Sequence, residues 1–133
     1  MEIRRVVTCH DHSGRAAVAA DGPAPRTHDF RHVPGMSTTM LWSTVPGQPP
    51  DAADPTPGAR SQLPPPGGTC FVIVRFPPDD VLRGVDPVAA DAENRTASPG
   101  IAERFEPGNP GMHVTDSVDY AAWMAGKPGS AKP

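Results

Sequence analysis

The sequence predicts a mainly β protein with long, irregular connections rich in proline and glycine. The chain has 133 residues, enough for a single domain. Its 13 Gly and 19 Pro make up 32 of these residues, a content that disfavours regular helix. Valine occurs 12 times, against three times each for leucine and isoleucine, and β-branched residues favour strands. With the four Phe these residues total only 22, so we expect a thin core.

Charge and hydropathy exclude several classes of partner. The 12 basic and 15 acidic residues give a net charge of -3, which provides no electrostatic footprint for nucleic acid. The sequence has no run of 18 apolar residues, and its N-terminus lacks the apolar stretch of a signal peptide. We therefore predict a cytoplasmic protein that binds neither nucleic acid nor membranes, with Cys9 and Cys70 reduced.

The first part of the chain predicts three strands. Residues 3–8 are mostly β-branched or basic, and the turn residues 11–14 follow them. Residues 15–20 offer a second strand, so we predict a hairpin. After a break rich in proline, residues 36–43 combine Thr with large apolar side chains and predict the third strand.

The middle of the chain alternates between strand and loop signals. Residues 46–66 are dense in proline and poor in large apolar side chains, so they predict an extended loop that buries little surface. Residues 70–76 form the strongest strand signal and end at Pro77 and Pro78. Because their apolar residues are almost continuous, we expect this strand to be buried on both faces.

The last third predicts one short helix and one strand. Asp86 followed by Pro87 is typical of a helix start, which predicts a helix over residues 88–93. Residues 112–124 alternate in polarity and predict a final strand, reached through a loop. The polar residues 127–133 predict an unstructured tail.

Two groups of histidines precede the third strand. Residues 9–12 read Cys-His-Asp-His, and on an extended segment both histidines point to one side while Cys9 and Asp11 point to the other. At most two of the four could bind one ion. We favour an exposed turn in which Asp11 bonds its own backbone, over a metal site. His28 and His32 have no partner at a diagnostic spacing, and we interpret them as surface histidines.

Residues 110–120, together with Gly126, resemble the first motif of the cupin superfamily. In that family a His-x-His pair, a carboxylate and a later turn glycine shape a strand pair that holds a divalent metal inside a small double-stranded β-helix, or jelly roll. The resemblance places His113 on the first histidine, Asp119 on the carboxylate and Gly126 on the turn glycine. Thr115 stands at the second histidine position, and a hydroxyl is a poor transition-metal ligand. The implied metal site therefore consists of His113 and Asp119, and its ligand set is incomplete.

Further blocks extend the resemblance over residues 3–126. They are similar to a bacterial and fungal subgroup of small single-domain cupins with a long N-terminal arm. The blocks are residues 4–11, 21–25, 39–44, 64–69 and 74–78. The implied organisation is a β arm over 1–45, a Pro-rich loop over 46–66, the start of a cupin-like barrel over 67–126 and a tail over 127–133.

The chain departs from the family after Gly126. Cupins need a second motif, with a Pro-x-Gly turn and a further histidine, and here only seven residues follow. We therefore expect a truncated or degenerate cupin with at best a residual small-ligand or metal site, its reaction and catalytic residues unspecified. The alternative is a non-catalytic protein that self-associates, or pairs open strand edges with a partner, because an unclosed barrel leaves strand edges unpaired.

Overall fold

Five strands, two short α-helices and two 3-10 turns make up the regular structure of the described residues. The computed structural model describes residues 2–49, 52–109, 111–122 and 124. The strands are β1 (Arg4–His10), β2 (Ala16–Pro23), β3 (Arg26–Asp29), β4 (Ser37–Ser43) and β5 (Cys70–Arg75). The helices are α1 (Asp79–Arg83) and α2 (Pro87–Ala97). The strands form two small antiparallel sheets, β1–β2 and β3–β4–β5, so the protein is mainly β, and no closed barrel is present among the described residues.

The predicted N-terminal hairpin is confirmed. Strands β1 and β2 pair antiparallel, with one irregularity in the register. The Asp11 carboxylate accepts hydrogen bonds from the backbone N–H groups of Ser13, at 2.8 Å, and Arg15, at 3.0 Å. Gly14 has φ +74°, a conformation that glycine adopts at little cost. The turn chemistry of residues 11–14 therefore fixes the hairpin.

The second sheet has β4 at its centre, with β3 and β5 on either side. The strands predicted over 36–43 and 70–76 are confirmed as β4 and β5. The sequence analysis missed β3, which reads Arg-Thr-His-Asp and has no apolar side chain. This short polar segment becomes a strand because it pairs with β4 along its four residues.

The expected burial of β5 on both faces is wrong. Among the described strands, β5 pairs only with β4 and is therefore an edge strand. Phe71 is 57% exposed and Val74 is 41% exposed. Phe71 and Val74 are three positions apart and point to opposite faces, so each face of the strand keeps an exposed apolar side chain. This edge is the most apolar open edge of the two sheets.

The described residues of the Pro-rich segment, 46–49 and 52–66, are irregular, as predicted, apart from a 3-10 turn at Thr56–Gly58. The expectation that the segment buries little surface is wrong at Thr56, where it packs on the second sheet. Thr56 is fully buried, and its hydroxyl accepts a hydrogen bond from the Ser43 backbone N–H at 3.1 Å. Arg26 reaches the segment from β3 and donates to the carbonyl of Ala59. The loop therefore covers part of β4.

The predicted helix is confirmed, and it extends beyond its predicted end. The Asp86 carboxylate accepts from the backbone N–H groups of Val88, at 3.0 Å, and Ala89, at 3.4 Å, and so caps α2. A separate five-residue helix, α1, precedes it. The capping residue was readable from the sequence because its bonds are local.

The final strand predicted over 112–124 is wrong for the part of it that the structure describes. An isolated bridge joins Phe105 to His113, and the Glu106 N–H donates to the Met112 carbonyl at 2.9 Å. Beyond this bridge the described residues to Met124 form no ladder, because no strand of the described chain lies beside them. Residues 123 and 125–133 lie outside the described part.

The core is thin and partly polar, as the low aliphatic content predicts. Its buried apolar residues are Ala24, Phe30, Val33, Met40 and Ala102. The buried residues of β4 include the polar Ser37, Thr38, Thr39 and Ser43. The Gln62 amide lies 3.3 Å from the hydroxyls of both Thr38 and Ser98. Hydrogen bonds between distant segments therefore supplement a small apolar core.

Candidate functional site

His113, the first predicted metal ligand, lies in a small exposed turn. Its ring packs at an angle of 63° against Phe105, with the two centroids 5.4 Å apart. Its Nδ1 atom lies 3.4 Å from the Gly111 carbonyl oxygen. The imidazole therefore contributes to the local hairpin around the Phe105 bridge.

Asp119, the second predicted ligand, belongs to a short chain of side-chain hydrogen bonds. Its carboxylate accepts from the Ser117 hydroxyl at 3.1 Å, and that hydroxyl lies 2.8 Å from the hydroxyl of Thr115. Residues 115, 117 and 119 thus meet on one side of the chain, across a bend at 116 and 117. The residue at the missing histidine position, Thr115, serves this local network.

The residues present do not form a set suited to a transition metal. Within the described part of the chain, no group of three or more His, Cys, Asp or Glu side chains is placed to hold an ion. His113 and Asp119 each have local partners, and two ligands leave a transition-metal ion largely hydrated. Joint metal binding by this pair stays a prediction.

The Cys-His-Asp-His segment runs from the end of β1 into the hairpin turn, and the expected bonding of Asp11 to the backbone of that turn is confirmed. The backbone N–H groups of Arg15 and Ser13 lower the pKa of the Asp11 carboxyl, against the opposing effect of burial. Cys9 is an exposed free thiol at the end of β1. The carboxylate is engaged in closing the turn.

The sequence analysis missed a cluster around Glu93 of α2. One carboxylate oxygen accepts from the Arg31 N–H at 2.8 Å and lies 3.1 Å from Nε2 of His28. The other accepts from the His32 N–H at 2.8 Å. Burial opposes ionisation, but these donors outweigh it and lower the pKa of the Glu93 carboxyl. His28 therefore has a partner 65 residues away, a separation at which no sequence spacing is diagnostic.

A shallow cleft of about 490 Å³ lies between β1 and the irregular part of the β4–β5 pair. Arg5, Trp42 and Phe71 line it. The Arg5 guanidinium is already engaged, since it pairs with Asp54 at 2.6 Å and donates to the Leu41 carbonyl at 3.0 Å. Arg5 therefore serves the fold, and the exposed apolar side chains that line this cleft include Val6 of β1 and Phe71 of β5.

Two exposed apolar elements remain, and we name them the β5 edge and the C-terminal segment. The β5 edge is the outer side of Cys70–Arg75 with the following Phe76, which is 60% exposed. The C-terminal segment is residues 114–122, where Val118 is 81% exposed and Tyr120 is 96% exposed. Strand-competent residues with unpaired backbone are a template for pairing with another chain.

No family model matches the chain, and no curated protein or solved structure is similar enough to indicate a relationship. The resemblance to cupins therefore stays a prediction. It rests on the motif around His113 together with the earlier blocks of the sequence. The described helices are also too short and too polar to cross a bilayer. The class defined by the described fold is a mainly β protein with an open apolar sheet edge.

Proposed function

We propose that this is a non-catalytic binding protein that associates by pairing the β5 edge with a β-strand of another polypeptide chain. The observation that carries the proposal is the exposure of three apolar side chains along a strand with one described neighbour. They are Phe71, Val74 and Phe76. Natural edge strands are normally short, charged, bulged or covered, and an uncovered apolar edge adds a strand readily.

The β5 edge also has the chemistry that strand addition requires. Its backbone groups supply the hydrogen bonds, and its side chains alternate between the two faces and supply specificity. Of the six residues of strand β5 only Arg75 is charged, so little desolvation of charge opposes pairing.

The alternative function is a degenerate cupin with a residual small-ligand or metal site. It rests on the sequence motif that contains His113 and Asp119. The local bonding of both residues gives this alternative no added support. Stoichiometric binding of a transition metal that depends on His113 would revive this alternative.

Sedimentation velocity over a hundredfold range of protein concentration tests the proposal. We expect the wild type to associate, and the double variant Phe71→Lys and Val74→Lys to remain monomeric. Both side chains are exposed, so their replacement costs little folding stability. The matched control is Val6→Lys and Val18→Lys, two exposed valines on the first sheet. A wild type that stays monomeric throughout, or a control that dissociates equally, overturns the proposal.

A further inference from the structure

We infer that the strand added to the β5 edge is residues 116–121 of a second copy of this chain, aligned antiparallel. This inference rests on the proposed function, and it adds the identity, direction and register of the partner strand. Both elements are exposed and unpaired within the described chain. Each element therefore offers unpaired backbone donors and acceptors with which the other can form hydrogen bonds.

The two elements are complementary in charge. The β5 strand carries one charged residue, Arg75, which is basic and exposed. The C-terminal segment carries two, Asp116 and Asp119, both acidic and exposed. Opposite charges favour this pairing over β5 with β5, which places two arginines on the shared edge.

One antiparallel register satisfies the aromatic, aliphatic and charged residues together. Aligning the aromatic side chains of the two elements fixes all other pairs, because antiparallel partners keep a constant sum of residue numbers. The paired residues are then two apart on each strand, so all of them share one face of the sheet. The pairs are Phe71 with Tyr120, Ile73 with Val118, and Arg75 with Asp116.

The observed register of β4 extends these pairs into rows. Trp42 lies opposite Phe71 and Thr39 lies opposite Ile73 in the existing sheet. Adding Tyr120 opposite Phe71 completes a row of three aromatic side chains, and aromatic cross-strand pairs are favourable. A slip by one residue in either direction separates Arg75 from Asp116 and Phe71 from Tyr120, so the charged and the aromatic pair together specify the register.

The other face of the added strand is already polar. Thr115, Ser117 and Asp119 lie together there and satisfy one another through hydrogen bonds. The bend at 116 and 117 straightens on pairing, which moves these three side chains apart along the strand, and water then replaces the hydrogen bonds between them. In a two-fold dimer the β5 edge of each copy pairs with the C-terminal segment of the other. Both edges and both segments are then paired, so the assembly stops at two copies.

Disulfide cross-linking between two distinguishable chains tests the register. In a Cys9→Ser and Cys70→Ser background, one chain carries Ile73→Cys and a heavier chain carries Val118→Cys. Directly opposite residues have the Cβ separation that a disulfide tolerates. We expect the mixed disulfide after oxidation of the mixture. The matched control replaces Val118→Cys with Asp119→Cys, which points to the opposite face and should cross-link at least about fivefold less.

A charge exchange supplies a second readout that does not depend on cysteine geometry. Arg75→Asp or Asp116→Arg alone should weaken association by about fivefold, and the double variant should regain it. Circular dichroism of each variant verifies that it is folded.

The outcomes separate the two proposals. If the wild type associates through β5 but neither the mixed disulfide nor the charge rescue is found, the register is wrong and the proposed function stands. If the wild type is a monomer, both fail. If one chain carrying both cysteines closes its own disulfide at high dilution, the segment covers its own edge, and the second-copy inference is overturned.

Discussion

Arg5 of β1 and Asp54 of the Pro-rich segment form an ion pair of 2.6 Å in which both side chains are mostly buried. The same guanidinium donates to the Leu41 carbonyl and lies 5.8 Å from the centre of the Trp42 ring. One side chain therefore joins the hairpin, the Pro-rich segment and β4. In a chain with so few buried apolar residues, such a junction holds together parts that a larger core would hold by packing.

Arg5→Ala should destabilise the protein by about 2 kcal/mol, because it removes the cationic partner of the mostly buried Asp54 carboxylate and the side-chain donor to the Leu41 carbonyl. Arg4→Ala is the matched control, since the neighbouring Arg4 makes a pair of the same length with Asp21 in an exposed setting. We expect the control to change stability little. Urea unfolding measures both, and equal losses would contradict the structural role assigned to Arg5.

Thr56→Val should cost about 1–3 kcal/mol, because the buried Ser43 N–H then loses its acceptor. Thr56→Ser keeps the hydroxyl and serves as the control, with a smaller loss from the missing methyl group. Thermal unfolding followed by circular dichroism distinguishes the two. If Thr56→Val is as stable as the wild type while Thr56→Ser loses stability, the bond from Ser43 is unimportant and methyl packing holds the segment.

Stability should fall in acid, and Glu93 should account for part of the loss. Its folded pKa lies below the ordinary value of 4.5, since backbone donors and His28 outweigh the effect of burial. The unfolded chain therefore takes up the proton first as the pH drops. The stabilisation is present above pH 4.5 and is lost as the pH falls through the folded pKa.

Glu93→Gln should flatten this dependence between pH 5 and 3, because an amide side chain does not ionise over that range. Glu2→Gln, at an exposed position, is the control and should keep the wild-type slope. Chemical denaturation at half-unit pH intervals gives both slopes. A slope unchanged in Glu93→Gln would show that other carboxylates cause the acid loss.

The sequence predicted those elements whose causes are local. The turn at Asp11, the cap at Asp86 and the β-branched runs of β4 and β5 depend on neighbouring residues, and all of them are present. Strand β3 was not predictable, because a polar tetrapeptide becomes a strand only through pairing with β4. The predicted final strand failed for the converse reason: Val118 and Tyr120 have strand character but no described partner.

The candidate site also combines features that local sequence predicts with features that depend on distant residues. The apolar run of β5 was readable, but its exposure was not, because exposure depends on which strands lie beside it. The bonds of Glu93 to the backbone at 31 and 32 were equally hidden by their sequence separation. The resemblance predicts a metal site at His113 and Asp119, whereas the exposed apolar side chains indicate a binding surface at the β5 edge.

Titration with zinc, iron and manganese should show no stoichiometric binding at micromolar metal. His113 and Asp119 supply two ligands of a set that requires about four, and both have local hydrogen-bond partners. Calorimetry measures this directly. Stoichiometric binding that His113→Ala abolishes, and that the control His12→Ala preserves, would revive the degenerate-cupin alternative.

Replacing Tyr120 and Met124 together by Lys should weaken association while leaving stability nearly unchanged. The two side chains are 96% and 72% exposed in the single chain, so they have little intramolecular packing to lose. In the associated state the Tyr120 side chain is buried beside Phe71, and burying one such side chain contributes about 1.5–3 kcal/mol, so we expect a weakening of at least about tenfold. Met124 lies beyond the pairing strand 116–121, so Tyr120 supplies most of this effect. Sedimentation equilibrium gives the association constant and urea unfolding gives the stability.

The control Val88→Lys changes a valine of α2 that is 77% exposed and lies outside both apolar elements, and it should alter neither quantity. If Tyr120→Lys with Met124→Lys instead lowers stability and leaves association intact, the C-terminal segment packs on its own chain, and the edge takes a different strand.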